Sequence, residues 1–114
     1  MLAKVNASIS DEPELIEKLE GLTATLWDAD PIADDQLATA VVSRGKAEFL
    51  IELEDASSLD SLLETKPDLF LTVANSGGAE VFRSGIHSDT DFGHRDPVSN
   101  EAKTTLDIVF SPRK

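Results

Sequence analysis

The chain contains no cysteine and no tyrosine. Without thiols it forms no disulfide, no thiolate metal site and no cysteine nucleophile, and a reducing, cytoplasmic setting is the default expectation. Basic residues are also scarce: ten Lys and Arg stand against 22 Asp and Glu, for a net charge of −12. Nucleic-acid binding and docking on anionic lipid both draw on clustered cations. Here the cations are scattered along the chain, so neither nucleic acid nor membrane is an expected partner, whereas a basic partner or a bound cation stays open. Long apolar runs are missing too. No stretch approaches the roughly 20 residues of a membrane span, and residues 1–9 carry one Lys and no continuous apolar run, so no secretory signal is expected. No Ser sits in a Gly-x-Ser-x-Gly turn, which removes one common route to nucleophilic catalysis.

What the chain does have is alternation. At 114 residues there is room for one domain spanning 1–114. Apolar residues recur with a period of two, the signature of half-buried strands. Strands are predicted over 3–9, 21–27, 37–42, 46–53, 68–74, 80–84 and 104–110. Leu22, Ala24 and Leu26 share one face of the second, with Thr23, Thr25 and Trp27 on the other. Ala47, Phe49, Ile51 and Leu53 face inward in the fourth, Leu69, Leu71 and Val73 in the fifth, and Leu106, Ile108 and Phe110 in the last. Arg44-Gly45 reads as a hairpin turn, and Ser76-Gly77-Gly78 as another turn. A short helix is predicted from Pro13, with Leu15, Ile16 and Leu19 on its apolar side. A second helical turn is predicted after Ser57 or Ser58, carrying Leu59, Leu62 and Leu63 and ending before Lys66-Pro67. Seven strands at this spacing suggest an all-β, two-layer sandwich with a core shared by Leu26, Phe49, Leu71 and Ile108.

Several segments resemble the transthyretin-like (prealbumin-like) domain family. Leu22-Thr23-Ala24-Thr25-Leu26-Trp27-Asp28-Ala29-Asp30, followed by Asp34-Asp35-Gln36-Leu37-Ala38, is similar to a strand ending in aromatic-Asp-x-Asp and the Asp-Asp-x-Leu step that begins the next strand. Gly45-Lys46-Ala47-Glu48-Phe49 resembles the family's following turn and strand, although an aromatic is more usual where Ala47 stands. Lys66-Pro67-Asp68-Leu69-Phe70 and Val81-Phe82-Arg83-Ser84 resemble the two strands after that. The resemblance covers about residues 20–85 and implies a fold, while the architecture hosts unrelated functions. The family's purine-catabolism hydrolases end in Tyr-Arg-Gly-Ser. This chain ends Ser111-Pro112-Arg113-Lys114 and has no Tyr, so that activity is not expected.

The acidic loop is the first candidate site. Asp28, Asp30, Asp34 and Asp35 bracket one strand-to-strand connection, and converging carboxylates are what Ca²⁺ takes as oxygen ligands. The segment also resembles the third loop of calcium-binding C2 domains, one residue shorter between Asp28 and Asp35. The competing reading is that these Asp residues cap the turn. A second candidate, His87 with Asp89, Asp91, His94 and Asp96, has the ligand types of a His₂-carboxylate metal site. A polar loop has the same composition. Phe70 and Phe82 fall on the nominal outer faces of their strands, where they read as an apolar contact patch or as residues covered by the short helices. The resulting expectation is a non-enzymatic module with no obligate cofactor that binds a protein partner or itself. Calcium-dependent binding through Asp28–Asp35 is the alternative, and a hydrolase the more distant one.

Overall fold

The structure is a computed structural model; it describes residues 2–9, 12–29, 34–52, 68–88 and 105–110. Among the described residues, seven strands and one helix follow in chain order as β1 (Leu2–Ser8), α1 (Pro13–Leu19), β2 (Thr23–Asp28), β3 (Asp35–Val41), β4 (Lys46–Glu52), β5 (Leu69–Ala74), β6 (Glu80–Arg83) and β7 (Thr105–Val109). They form two sheets, a three-stranded one in the order β4-β1-β7 and a four-stranded one in the order β3-β2-β5-β6. All pairings are antiparallel except β1 with β7, which is parallel. The all-β sandwich expected from the alternation is the observed architecture.

Alternation explains the layers. Val5 and Ala7 of β1, Ala47, Phe49 and Ile51 of β4, and Ile108 of β7 project from one sheet into a buried cluster. Ala24 and Leu26 of β2 with Leu69, Leu71 and Val73 of β5 meet them from the other sheet. Leu26, Phe49, Leu71 and Ile108 therefore do share one core, and Phe110 closes it. Leu53 and the side chain of Leu106 lie outside the described residues, as does the helical turn predicted after Ser57.

Two connections hold the sheets together at one end. The chain leaves the four-stranded sheet at Val42 and enters the three-stranded one at Lys46 through the two-residue turn Arg44-Gly45, closed by reciprocal bonds between Ser43 and Lys46. Both turn residues have positive φ, 54° at Arg44 and 74° at Gly45, the geometry whose twist suits a tight hairpin. Helix α1 starts at Pro13, whose missing N–H is no loss in the first turn. It buries Leu19 and leans Leu15 on the core. Its end is tied to the hairpin: Gly21 N–H donates to the Val42 carbonyl, and Arg44 N–H donates to Glu20 Oε2 at 2.7 Å. Among the described residues no helix is long and apolar enough to cross a membrane.

Phe82 corrects one expectation. It pairs with Val73, an inward position, and packs against the core, so it is not part of an outer patch. The reason is a β-bulge: the register with β5 shifts between Val73 and Ala74, which sets Val81 and Phe82 both against the core and turns Arg83 to the outside. Strict alternation through 80–84 therefore assigns the wrong face. Phe70 does point outward, yet it is only 5% exposed.

Candidate binding face and adjoining cleft

The outer face of the four-stranded sheet is built by three cross-strand rows. In register, Val41, Thr23 and Ala74 form the first row, Thr39, Thr25 and Thr72 the second, and Gln36, Trp27 and Phe70 the third. None of these nine residues is charged, and on β6 the same face continues into two charged residues, Arg83 opposite Thr72 and Glu80 opposite Ala74. The outer positions of the three-stranded sheet include Leu50 and Lys4, then Glu48, Asn6 and Asp107, then Lys46, Ser8 and Val109, of which four are charged. Helix α1 likewise exposes Glu14, Glu17 and Lys18. In a chain with 22 acidic residues, the β3-β2-β5 part of this face is uncharged and is bordered on β6 by the Arg83–Glu80 ion pair.

The third row is an aromatic stack. The rings of Trp27 and Phe70 lie 6.2 Å apart between centroids and within 10° of parallel, an arrangement worth about 0.5–1.5 kcal/mol beyond simple burial. Arg83 of β6 sets its guanidinium 5.1 Å from the Phe70 centroid, so Phe70 carries an aromatic neighbour and a cation as well as its own strand. The Arg83 charge is answered by Glu80 at 2.8 Å, a half-exposed pair that serves geometry more than stability. The indole N–H of Trp27 donates to Thr72 Oγ1 at 2.9 Å, which fixes the ring's orientation on the sheet. By contrast, the side chains of Thr25, Gln36 and Thr39 make no hydrogen bond among the described residues.

Beside Phe70 the face runs into an open cleft of about 460 Å³ whose walls include Ala29, Asp34, Arg83, Ser84 and Ile86. Ile86 is 60% exposed there, an apolar side chain left at the rim. Ser84 is the buried hydroxyl of this wall, and its bonding is structural. Its Oγ accepts from Leu71 N–H and donates to the Gly85 carbonyl, both at 2.9 Å. A hydroxyl committed in both directions to the backbone is not poised as a nucleophile.

The predicted metal ligands are distributed as follows. Asp28 ends β2 and lies directly opposite Asp35, the first residue of β3, with Asp34 just before it at the cleft. Asp30 lies outside the described residues. Among the described residues no group of three or more acidic or histidine side chains converges as a metal site. Of the second candidate, His87 is described: it exchanges backbone bonds with Leu69 and sets its ring 6.3 Å from that of Phe110. Asp89, Asp91, His94 and Asp96 lie outside the described residues. The sequence pattern does not show the Thr-rich outer face as a unit. Its signal was present in the Thr-rich outer positions of β2 and β3, but only the strand pairing assembles them.

No family model matches the chain, and no curated protein matches it. Among solved structures it is similar to a 9R-lipoxygenase from Cyanothece PCC8801, with a TM-score of 0.48 and 20% sequence identity over 95% of this chain. The chain spans 16% of the length of that protein.

Proposed function

We propose that the domain is a non-enzymatic binding module that engages its partner through the outer face of the β3-β2-β5-β6 sheet. The observation that carries this reading is the uncharged patch across β3, β2 and β5, bordered on β6 by the Arg83–Glu80 pair, on an acidic domain. A face that serves only solvation has no need to exclude charge, whereas charge is depleted at the centre of contact surfaces. The exposure of Val41, at 64%, extends the face to its β3 edge. The commitment of Ser84 to backbone bonding supports the non-enzymatic part. The transthyretin-like reading belongs to the same proposal. It is supported by the positions of the quoted motifs: the aromatic-Asp sequence ends β2, the Asp-Asp step starts β3, Gly45 precedes β4, and Pro67-Asp68 precedes β5. Cytoplasmic placement is part of the proposal as well and rests on the cysteine-free composition.

The test places a charge on the face and asks what is lost. Thr39 is exposed, so Thr39→Asp should leave the melting temperature within a few degrees of the parent. Binding through the face should weaken, whether read by sedimentation velocity for self-association or by the emission of Trp27 for a ligand. Trp27 is the chain's single tryptophan, so that emission reports on this face alone. Binding that is indifferent to Thr39→Asp would move the contact surface elsewhere.

A second reading, calcium-dependent binding at the acidic loop, is favoured by one observation: the register sets Asp28 opposite Asp35.

A further inference from the structure

We propose that β6 is a self-complementary edge, through which two copies of the chain pair antiparallel into one continuous sheet. Among the described residues β6 is the last strand of the order β3-β2-β5-β6, so one of its sides has no strand alongside. Hydrogen bonds around its two ends fix which residues face that open side. Ser84 N–H donates to the Leu71 carbonyl, and Asn75 N–H donates to the Ala79 carbonyl. Antiparallel ladders alternate bonded and non-bonded pairs. The neighbouring pairs, Thr72 with Arg83 and Ala74 with Glu80, are therefore the non-bonded ones. Arg83 and Glu80 thus turn their N–H and C=O groups away from β5. The bulge opposite Val73 is what lets both of them, three positions apart, face the same way.

A two-fold antiparallel pairing sets Glu80 against the second copy's Arg83, and Arg83 against the second copy's Glu80. Three levels of structure agree with that register. The outward backbone groups of the opposed residues can exchange hydrogen bonds, and identical bulges keep the spacing equal on both strands. The side chains of Glu80 and Arg83 share the outer face with Ala74 and Thr72, so opposite charges meet across the joint. Glu80 engages Nε and Nη2 of its own Arg83, which leaves the two N–H groups of Nη1 for the second copy. On the inner side, half-buried Val81 falls opposite half-buried Phe82 of the second copy, and apolar surface is covered.

The other edges lack this complementarity. In β4, Lys46 already exchanges its backbone bonds with Ser43. In β7, Phe110 N–H donates to Ser8, which leaves Asp107 among the outward residues, and a two-fold at the middle of that strand sets Asp107 against its own copy. Strand β3 carries one charge, Asp35, with none of opposite sign to answer it. The β6 joint is small, well below the roughly 800 Å² per partner of a standard interface. Each copy also carries a charge of −12. The dimer is therefore a weak one, favoured by high protein concentration and by salt that screens repulsion beyond about 8 Å. Pairing through this edge is independent of binding through the face.

The experiment is sedimentation velocity of the full chain at physiological salt, from about 10 μM to about 1 mM. The parent should show a monomer–dimer equilibrium that shifts with concentration. Glu80→Arg or Arg83→Glu, each alone, should weaken it about tenfold or more, because each homodimer then opposes like charges. An equimolar mixture of the two variants should associate again, since one carries two positive ends and the other two negative ones. The double variant Glu80→Arg/Arg83→Glu should pair as the parent does. Glu80→Arg keeps Arg83 over Phe70, so it decides the matter even where Arg83→Glu fails to fold. Thr39→Asp should leave the dimer intact. A parent that stays monomeric throughout overturns the proposal, and any strand at this edge would then belong to another protein. Association that survives Glu80→Arg overturns it too, as does a mixture of the two folded variants that associates no better than its components. Association lost with Thr39→Asp but kept with Glu80→Arg would overturn the edge pairing and assign self-association to the binding face.

Discussion

The backbone N–H of Leu71, in the middle of the central strand β5, donates to the side chain of Ser84 at 2.9 Å, while Ser84 N–H donates back to the Leu71 carbonyl. Strand β6 ends at Arg83, so the Ser84 hydroxyl takes the place of a carbonyl and completes the edge of the sheet. Ser84 is 2% exposed. Ser84→Ala should therefore cost about 1–3 kcal/mol, the penalty for leaving a buried donor unsatisfied. Urea unfolding measures it. A loss below about 0.5 kcal/mol would mean that the Leu71 amide finds another acceptor.

Phe49 is fully buried between the sheets. Phe49→Ala should cost about 3–5 kcal/mol, from lost transfer free energy and the cavity left behind. In a domain of this size that approaches the whole folding free energy, so the variant should be largely unfolded or strongly shifted in urea midpoint. A loss below about 1 kcal/mol would contradict the shared core.

Arg44 occupies the left-handed region at φ 54° although it has a Cβ. Asn tolerates that region better and is favoured in two-residue hairpin turns before Gly. Arg44→Asn should raise stability by about 0.5–1 kcal/mol, because the bond from its backbone N–H to Glu20 is kept. Thermal unfolding should show a higher midpoint, and a decrease would indicate that the Arg44 side chain contributes more than its backbone strain costs.

Thr72→Val removes the acceptor of the Trp27 indole while keeping the side chain's shape. The cost should be modest, about 0.5–1.5 kcal/mol, since Trp27 is only part-buried and water can substitute. The informative readout is spectroscopic. Trp27 emission and near-ultraviolet circular dichroism should both change, as the ring loses its fixed orientation beside Phe70. Unchanged spectra would show that stacking alone orients the indole.

The calcium reading makes its own demand. If Asp28 and Asp35 share a cation, millimolar Ca²⁺ should raise the melting temperature by mass action, more than Mg²⁺ does, and Asp28→Asn should remove most of the gain. Equal, small shifts with both ions, insensitive to Asp28→Asn, would reduce the effect to screening of the net charge and leave these residues as turn formers.

Local pattern was enough to establish the strands and the inward faces of β2, β4 and β5. Ala24, Phe49 and Leu71 sit in runs whose two-residue period has one economical solution, burial on one side. The Arg44-Gly45 turn and the start of α1 at Pro13 were legible for the same reason, because turn and cap chemistry acts over three or four residues. Tertiary pairing decided the rest. The bulge opposite Val73 moved Phe82 from the outer face to the core, and a bulge depends on which strand lies alongside, which alternation within one strand does not encode. Ser84 looks like any polar residue at a strand end until β5 brings the Leu71 amide to it. The Thr-rich outer face was the least legible feature. Thr25, Thr39 and Thr72 are separated by up to 47 positions in sequence, yet they form one row because β2 pairs with β3 on one side and β5 on the other. The types of side chain on that surface were present in the sequence, and the long-range hydrogen-bonded register determined that they lie side by side.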